Sequence, residues 1–283
     1  MVKKWGKTLA IGDGANDVNM IHSANVGVGV RGIEGSQATR AADYVITEFR
    51  LLKRLVIYHG LNNYHRNSNV VTYTLYKNML LTFPNLFYGP ISLESATYLY
   101  DPWVAQVFNL FFTGIPIIYY GIFDILYSYK EMKQKPSLYK EGQNCLYFNK
   151  TVLIRALLDP LLASILILYV VFYSTEFALC SRGYMIYKEW SGNLIFSIIV
   201  VACNIRIVIM SHQFNIVQGF ITSMSVILYP ILYLLVSVIL ATDSKNTLFH
   251  QFSTGLYWLL LVLVCFVNEG FKIVENNIVK MKK

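Results

Sequence analysis

Charged residues are scarce in this chain. Asp, Glu, Lys and Arg make up 14% of its 283 residues, where a soluble domain of that length carries roughly a quarter. The shortfall excludes an ordinary water-soluble fold for most of the chain and points to lipid as its solvent. In keeping with that, 55% of the residues are hydrophobic and the mean hydropathy is +0.46. Cysteine is scarce too: Cys145, Cys180, Cys203 and Cys265 are widely scattered. They form no metal-type or redox spacing, and two fall inside apolar runs, where small packing residues are expected. Acidic residues number 16 against 24 Lys and Arg, for a formal charge of +8. The lysines cluster in short loops between apolar runs, so the excess reads as the cytoplasmic bias of a membrane protein, and nucleic-acid binding is not expected. Met1 to Lys7 lead straight into a strand-like stretch; no secretory signal is expected there, and insertion falls to internal spans.

Residues 1 to about 60 read as soluble α/β. Thr8 to Ile11 is a short apolar strand, Gly12-Asp13-Gly14 turns, and Ala15 to Ala24 has helix-compatible spacing. Val26 to Val30 is a second strand, about Glu34 to Ala42 a short helix, and Asp43 to Ile46 a third strand. Strands alternating with short helices predict a parallel sheet. Three strands cannot bury a core of their own, so the segment reads as the tail of a larger domain. Long apolar runs follow, at about 68–93, 103–123, 153–173, 192–211, 219–241 and 254–272. Each is near the ~20 residues that cross a ~30 Å hydrocarbon layer. The expected fold class is an α-helical membrane protein with six transmembrane helices over 61–283, preceded by the α/β segment over 1–60.

Six is even, so both ends lie on one side. The loop at about 124–152 carries Lys130, Lys133, Lys135, Lys140 and Lys150, and the tail adds Lys280, Lys282 and Lys283. Arg206, near the end of the fourth run, reads as snorkelling to the same interface. Opposite them Arg182, Lys188 and Lys245 are mixed with Glu94, Asp101, Glu176, Glu189 and Asp243. The positive-inside rule places residues 1–60, the loop and the tail in the cytoplasm. Trp103, Trp190 and Trp258 lie near run edges, as interfacial anchors do. On this topology the sequon Asn149-Lys150-Thr151 stays cytosolic and unmodified.

Three features bear on chemistry. Gly12-Asp13-Gly14-Ala15-Asn16-Asp17 sets two carboxylates four apart at the exit of a strand. A loop at the carboxyl edge of a parallel sheet is a ligand position, and paired carboxylates suit Mg²⁺; acidic capping of a helix start explains the same residues without a metal. Gly27-Val28-Gly29-Val30-Arg31-Gly32 spells a dinucleotide fingerprint, but its glycines alternate within a strand and no strand feeds the turn, so that reading is set aside. Lys77, followed by Asn78, stands in the middle of an apolar run. A lysine there costs about 2.5–3.5 kcal/mol on insertion scales and marks a functional position, with snorkelling the alternative. Asn109 in the next run is a candidate polar companion or an interhelical hydrogen bond. Pro84, Pro90 and Pro116 break or kink these two runs, and broken helices build transport sites.

These residues resemble a known family. Asp13-Gly14-Ala15-Asn16-Asp17-Val18 with Met20-Ile21, Glu34-Gly35-Ser36-Gln37-Ala38, Ala42-Asp43-Tyr44, Leu52-Lys53-Arg54-Leu55, Tyr76-Lys77-Asn78, Phe108-Asn109, Phe112-Thr113, Pro116 and Gly121-Ile122-Phe123-Asp124 are similar to type IV P-type ATPases, the lipid flippases. The likeness is dense over the first 125 residues and rests on spacing and hydropathy beyond. It implies the C-terminal part of a haloacid-dehalogenase-like (HAD-like) phosphorylation domain joined to transmembrane helices five to ten. It also implies Mg²⁺ on Asp13 and Asp17, phosphate of ATP near Asn16 and Asp17, and a lipid path at Lys77, Asn78 and Asn109. The implied activity is ATP-driven movement of an aminophospholipid to the cytoplasmic leaflet of a plasma, Golgi or endosomal membrane, with a two-span accessory glycoprotein as a further partner.

This sequence also departs from the family. It contains no Asp-Lys-Thr-Gly-Thr, no nucleotide-binding domain, no actuator loop and no helices one to four, so these residues alone are not expected to be phosphorylated. Pro90-Ile91-Ser92-Leu93 matches a helix-four motif but sits elsewhere, and nothing is transferred to it. A truncated, non-catalytic interaction module is one alternative. A cation-pumping relative is another; it calls for acidic residues in the first two runs, and there are none.

Overall fold

The computed structural model describes residues 6–32, 36–95, 97–176, 188–239 and 245–281. The sequence readings at Glu34, Gly35, Cys180, Arg182, Asp243, Lys282 and Lys283 lie outside them. The chain divides into two compact units: Met1–Tyr64 with Tyr127–Gln143, and His65–Leu126 with Asn144–Lys283.

In the first unit β1 (Leu9–Gly12), β2 (Val26–Val30) and β3 (Tyr44–Ile46) form a parallel sheet in the order β1-β2-β3. Leu9 pairs with Val26, and Val28 with Tyr44. The helices α1 (Val18–Ser23) and α2 (Gln37–Ala41) connect them. Side chains alternate along a strand, so Gly27 and Gly29 share one face. A Cβ on Gly27 would stand 2.6 Å from Ile21 Cγ2, and one on Gly29 would stand 2.9 Å from Thr39 Cα. The alternating glycines therefore let two helices sit hard against the central strand, which is the physical content of the apparent dinucleotide fingerprint. The Asp43 carboxylate accepts from the Gly27 amide at 2.8 Å. Leu9, Tyr44 and Val45 on the outer strands stay exposed, in line with a sheet too small to bury its own surface.

The same unit holds a short helix, Tyr129–Gln134, opened by a capping box. The Ser128 amide donates to Glu131 at 2.7 Å, and the Glu131 amide donates back to Ser128 Oγ at 3.3 Å. That Ser128 amide bond holds the Glu131 carboxyl below the usual carboxylate range. Asn62 anchors the segment through both Tyr127 backbone groups, and Arg54 lies 5.3 Å from the centre of the Tyr129 ring.

The second unit is a helical bundle. It contains most of α3 (Gly60–Ile91) and then α4 (Pro102–Phe123), α5 (Lys150–Glu176), α6 (Lys188–Met210), α7 (Ile216–Ile239) and α8 (Gly255–Met281). Among the described residues five stretches are long and apolar enough to cross a membrane: Pro102–Phe123, Lys150–Thr175, Lys188–Met210, Ile216–Ile239 and Gly255–Glu275. The expected first span falls in α3, whose 32 residues suffice in length. Its Asn63, His65, Arg66, Asn67, Asn69, Lys77 and Asn78 make it too polar to qualify by composition. Pro90 to Leu93 close α3 in a turn with Leu93 and Glu94 at positive φ.

Helix α6 is the axis of the bundle. Of its most apolar stretch 72% is buried, against 28–33% for the other four. Phe196 sits in an aromatic cluster with ring centres 5.4 Å from Tyr100, 5.8 Å from Phe108 and 5.2 Å from Tyr229. Trp190, expected at a membrane edge, is instead buried and packs edge-on to Tyr257, in a stretch of α6 whose residues are buried without a break from Trp190 to Val200. Trp103 and Trp258 are exposed, as interfacial anchors would be. Asn149 accepts from the Val152 amide at 2.9 Å and so caps α5. Past the end of α4, Asp124 accepts from the backbone amides of His212 and Gln213 at 2.9 and 3.1 Å. Burial alone would raise the pKa of Asp124, but the His212 side chain and these two amides outweigh it and hold the carboxyl below its ordinary value.

The tightest approach to α6 is at Gly192, where an added Cβ would collide with the Leu99 carbonyl oxygen. Gly192→Ala should cost about 1–3 kcal/mol through overpacking and lower the unfolding temperature of the detergent-purified protein. Gly270→Ala, where a Cβ meets nothing within 4 Å, should not. Equal unfolding temperatures for the two variants would contradict this packing.

Candidate functional site

The loop after β1 is the first candidate. Gly12 ends the strand; a Cβ there would overlap the Asp17 side chain, so glycine is what lets the chain fold back. Ala15–Asp17 form one 3₁₀ turn that runs into α1. Asp17 Oδ2 accepts from the Asp13 amide at 3.2 Å and the Gly14 amide at 3.5 Å. Asp17 thus braces the loop, while the Asp13 side chain and Asn16 are exposed at the carboxyl edge of the sheet. Two carboxylates and an amide are the hard oxygen donors Mg²⁺ takes, and bracing through Oδ2 keeps Oδ1 of Asp17 available. The residues present fit such an ion.

The second candidate lies in the bundle. Lys77 is 5% exposed, so it does not snorkel. Its Nζ donates to Thr113 Oγ1 at 2.9 Å, and that hydroxyl donates to the Phe108 carbonyl at 3.1 Å. Thr113 has no exposed surface. It stands where α4 changes course: Pro102–Val107 is α-helical, Phe108–Phe112 forms a wide π turn, and the α-helix resumes at Gly114. One sequence feature accompanies this. Pro116 has no amide to give the carbonyl four residues back, which is Phe112. Asn204 on α6 supplies the missing donor, with Nδ2 3.0 Å from that carbonyl and 2.9 Å from Val200 O. The polar companion of Lys77 is therefore Thr113 rather than Asn109. Asn78 and Asn109 are exposed, Asn109 one turn before Thr113. The result is a buried ammonium group held by one hydroxyl, one residue along the chain from the exposed Asn78, with the exposed Asn109 one turn before Thr113; ammonium and amide N–H groups can donate to anionic oxygens.

A third group is not apparent from the sequence pattern around Arg206. Arg206 is buried, not snorkelling: its Nε lies 2.7 Å from Glu269 Oε2 and its Nη1 3.5 Å from Asp159 Oδ2. Tyr76 donates to Glu269 at 3.1 Å and presents its ring 4.1 Å from the Arg206 guanidinium. Lys272 joins Asp159 at 3.0 Å and Glu275 at 2.8 Å. A cavity of about 410 Å³ opens beside this network, lined by Asp159, Arg206 and Lys272 together with Leu162 and Phe271. The available signal was Glu269 itself, since an acid inside an apolar run demands a cationic partner on another helix.

A family model described as the phospholipid-translocating P-type ATPase C-terminal region matches residues 39–281. The human probable phospholipid-transporting ATPase IM is 41% identical over 172 residues, 60% of this chain and 14% of that protein. The Arabidopsis thaliana probable phospholipid-transporting ATPase 7 is 32% identical over 265 residues, 91% of this chain and 21% of its own length. The Saccharomyces cerevisiae phospholipid-transporting ATPase DRS2 is 30% identical over 274 residues, 93% of this chain and 20% of its own length. The matched region is thus about a fifth or less of the length of each of these relatives.

The buried pair sets a prediction. Arg206→Met should destabilise the protein by about 3–5 kcal/mol, because it strands a buried carboxylate, and a second change, Glu269→Met, should recover most of the loss. Chemical unfolding in detergent measures both. A double variant no more stable than the single one would contradict the pairing.

Proposed function

Because this chain belongs to the phospholipid-translocating P-type ATPases, we propose that it supplies the last part of the phosphorylation domain and helices five to ten of an ATP-driven lipid flippase. On this reading α3 is the first of six spans in spite of its polarity, which is the polarity of a substrate path. Both chain ends and the 124–152 loop face the cytoplasm, and the α/β unit is the edge of a HAD-like domain whose remaining strands cover Leu9, Tyr44 and Val45. Asp13 and Asp17 hold Mg²⁺, with Asn16 towards the phosphate. The ion supplies charge neutralisation at the phosphorylated aspartate, which is carried elsewhere in the full-length protein.

The observation that carries the lipid assignment is the Lys77–Thr113 bond at the broken turn of α4. A positive charge sits in the bundle with the Thr113 hydroxyl as its hydrogen-bond partner, one residue along the chain from the exposed Asn78, while the exposed Asn109 lies one turn before Thr113. The substrate is a phospholipid, and an aminophospholipid suits the family resemblance. A cation pump is disfavoured, because the intramembrane acids Asp159 and Glu269 are matched by Arg206 and Lys272.

In the full-length protein Lys77→Ala should reduce lipid-stimulated ATP hydrolysis at least tenfold, the size expected for removing a charged contact worth about 1.5–3 kcal/mol, while phosphorylation from ATP persists. Unchanged lipid stimulation would remove Lys77 from the path. Asp13→Asn should abolish the phosphoenzyme, and a normal yield would refute the Mg²⁺ assignment.

A further inference from the structure

Away from both candidate sites, three side chains meet at one end of the second unit. His65 comes from α3, Asp124 follows α4, and His212 lies in the connection between α6 and α7. One ligand atom from each lies within 4.8 Å of the others. We propose that His65, Asp124 and His212 form a binding site for a divalent transition metal of the zinc type, a site independent of the lipid-path reading.

Four observations carry it. First, the Asp124 side chain is 2% exposed, and its Oδ2 is buried with no hydrogen-bond partner. A buried carboxylate oxygen without a donor is costly, and a cation satisfies it. Second, His212 Nδ1 stands 3.6 Å from that oxygen. This is too far for a hydrogen bond and near the separation of roughly 3.3 Å for two ligands on one tetrahedral ion with bonds of about 2.0–2.1 Å. Third, the His65 and His212 rings have centres 5.0 Å apart at 78°, where two imidazoles sharing a tetrahedral zinc stand roughly 5 Å apart. Fourth, the outer bonds that fix ligand orientation are in place. Asp124 Oδ1 is held by the His212 and Gln213 amides at 2.9 and 3.1 Å.

His65 Nε2 lies 3.1 Å from the Asn69 amide, which is also 2.7 Å from the Tyr120 hydroxyl. Turning that amide end for end leaves its shape unchanged. Its oxygen then accepts from both Tyr120 and His65 Nε2–H, which makes Nδ1 the ligand atom of His65. Arg66 donates to the backbone carbonyls of Ile122 at 2.6 Å and Asp124 at 3.4 Å. The His212 side chain is 38% exposed, so an ion has an entry path and water has a fourth position. The site would clasp α3, α4 and the α6–α7 connection together.

The test uses the full-length protein, purified in detergent, stripped with chelator and titrated with zinc chloride, with bound metal counted by elemental analysis. The wild type should bind one zinc more than His212→Ala. Affinity for that ion should fall roughly a hundredfold in His212→Ala and in Asp124→Asn, at or beyond the upper end of what outer-shell changes cost. His212 is half-exposed and Asp124→Asn keeps the acceptor for the two amides, so both variants fold. His212→Cys, which restores a ligand, should restore binding, and cobalt in the wild type should give the visible spectrum of a tetrahedral site. The same zinc content and affinity in wild type and both variants, or no bound zinc in the wild type, would overturn the proposal.

Discussion

A charge or an unpaired carbonyl inside an apolar bundle has to be answered from within the protein, and most of those answers come from α6. Asn204 covers the carbonyl left open on α4, Arg206 neutralises Glu269 on α8 and reaches Asp159 on α5, and the Cys203 carbonyl takes the Tyr73 hydroxyl of α3 at 3.3 Å. These residues lie within one turn of a helix that is buried on nearly every side. The apolar packing around Phe196 gives the bundle its cohesion, but it is non-directional. The polar pins fix which turn of each helix faces which, because a shift of one residue would leave a carbonyl or a charge unmatched in the interior.

The break in α4 follows from that constraint. Pro116 removes a donor, the π turn at Phe108–Phe112 widens the backbone, and Thr113 and Asn204 absorb the carbonyls that result. Lys77 is then held on the Thr113 hydroxyl. On the proposed reading a lipid headgroup competes for that ammonium group, so what a passing lipid disturbs is the one irregular turn of the bundle. The same turn answers to α6 through Asn204, which gives a physical route from the path to the packed axis.

Much of this was legible in the sequence. Apolar runs located α4 to α8 to within a few residues, except that α8 continues well past its apolar run. Glycine and proline placement anticipated the β1 turn and the irregularity near Pro116. Other features were hidden because they depend on pairs distant in sequence. Arg206 reads as an interfacial residue until Glu269, 63 positions away, is set against it. Trp190 reads as a membrane-edge anchor until Tyr257 covers it. Thr113 stands out in the sequence only as part of a family likeness, since a hydroxyl in an apolar run gives no sign that a lysine on another helix will use it. The polarity of α3 cut the other way: two of the residues that weaken it as a span by composition, Lys77 and Asn78, are those that the resemblance assigns to the lipid path.

The most direct measurement is photo-crosslinking of a phospholipid carrying a diazirine beside its headgroup to the full-length, turning-over protein, with adducts mapped by mass spectrometry. Adducts concentrated around Asn78 on α3 and Asn109 on α4, and lost in excess unlabelled substrate lipid, are what a lipid path beside Lys77 predicts. Adducts confined to the outer faces of α5, α7 and α8 and insensitive to competitor would contradict it.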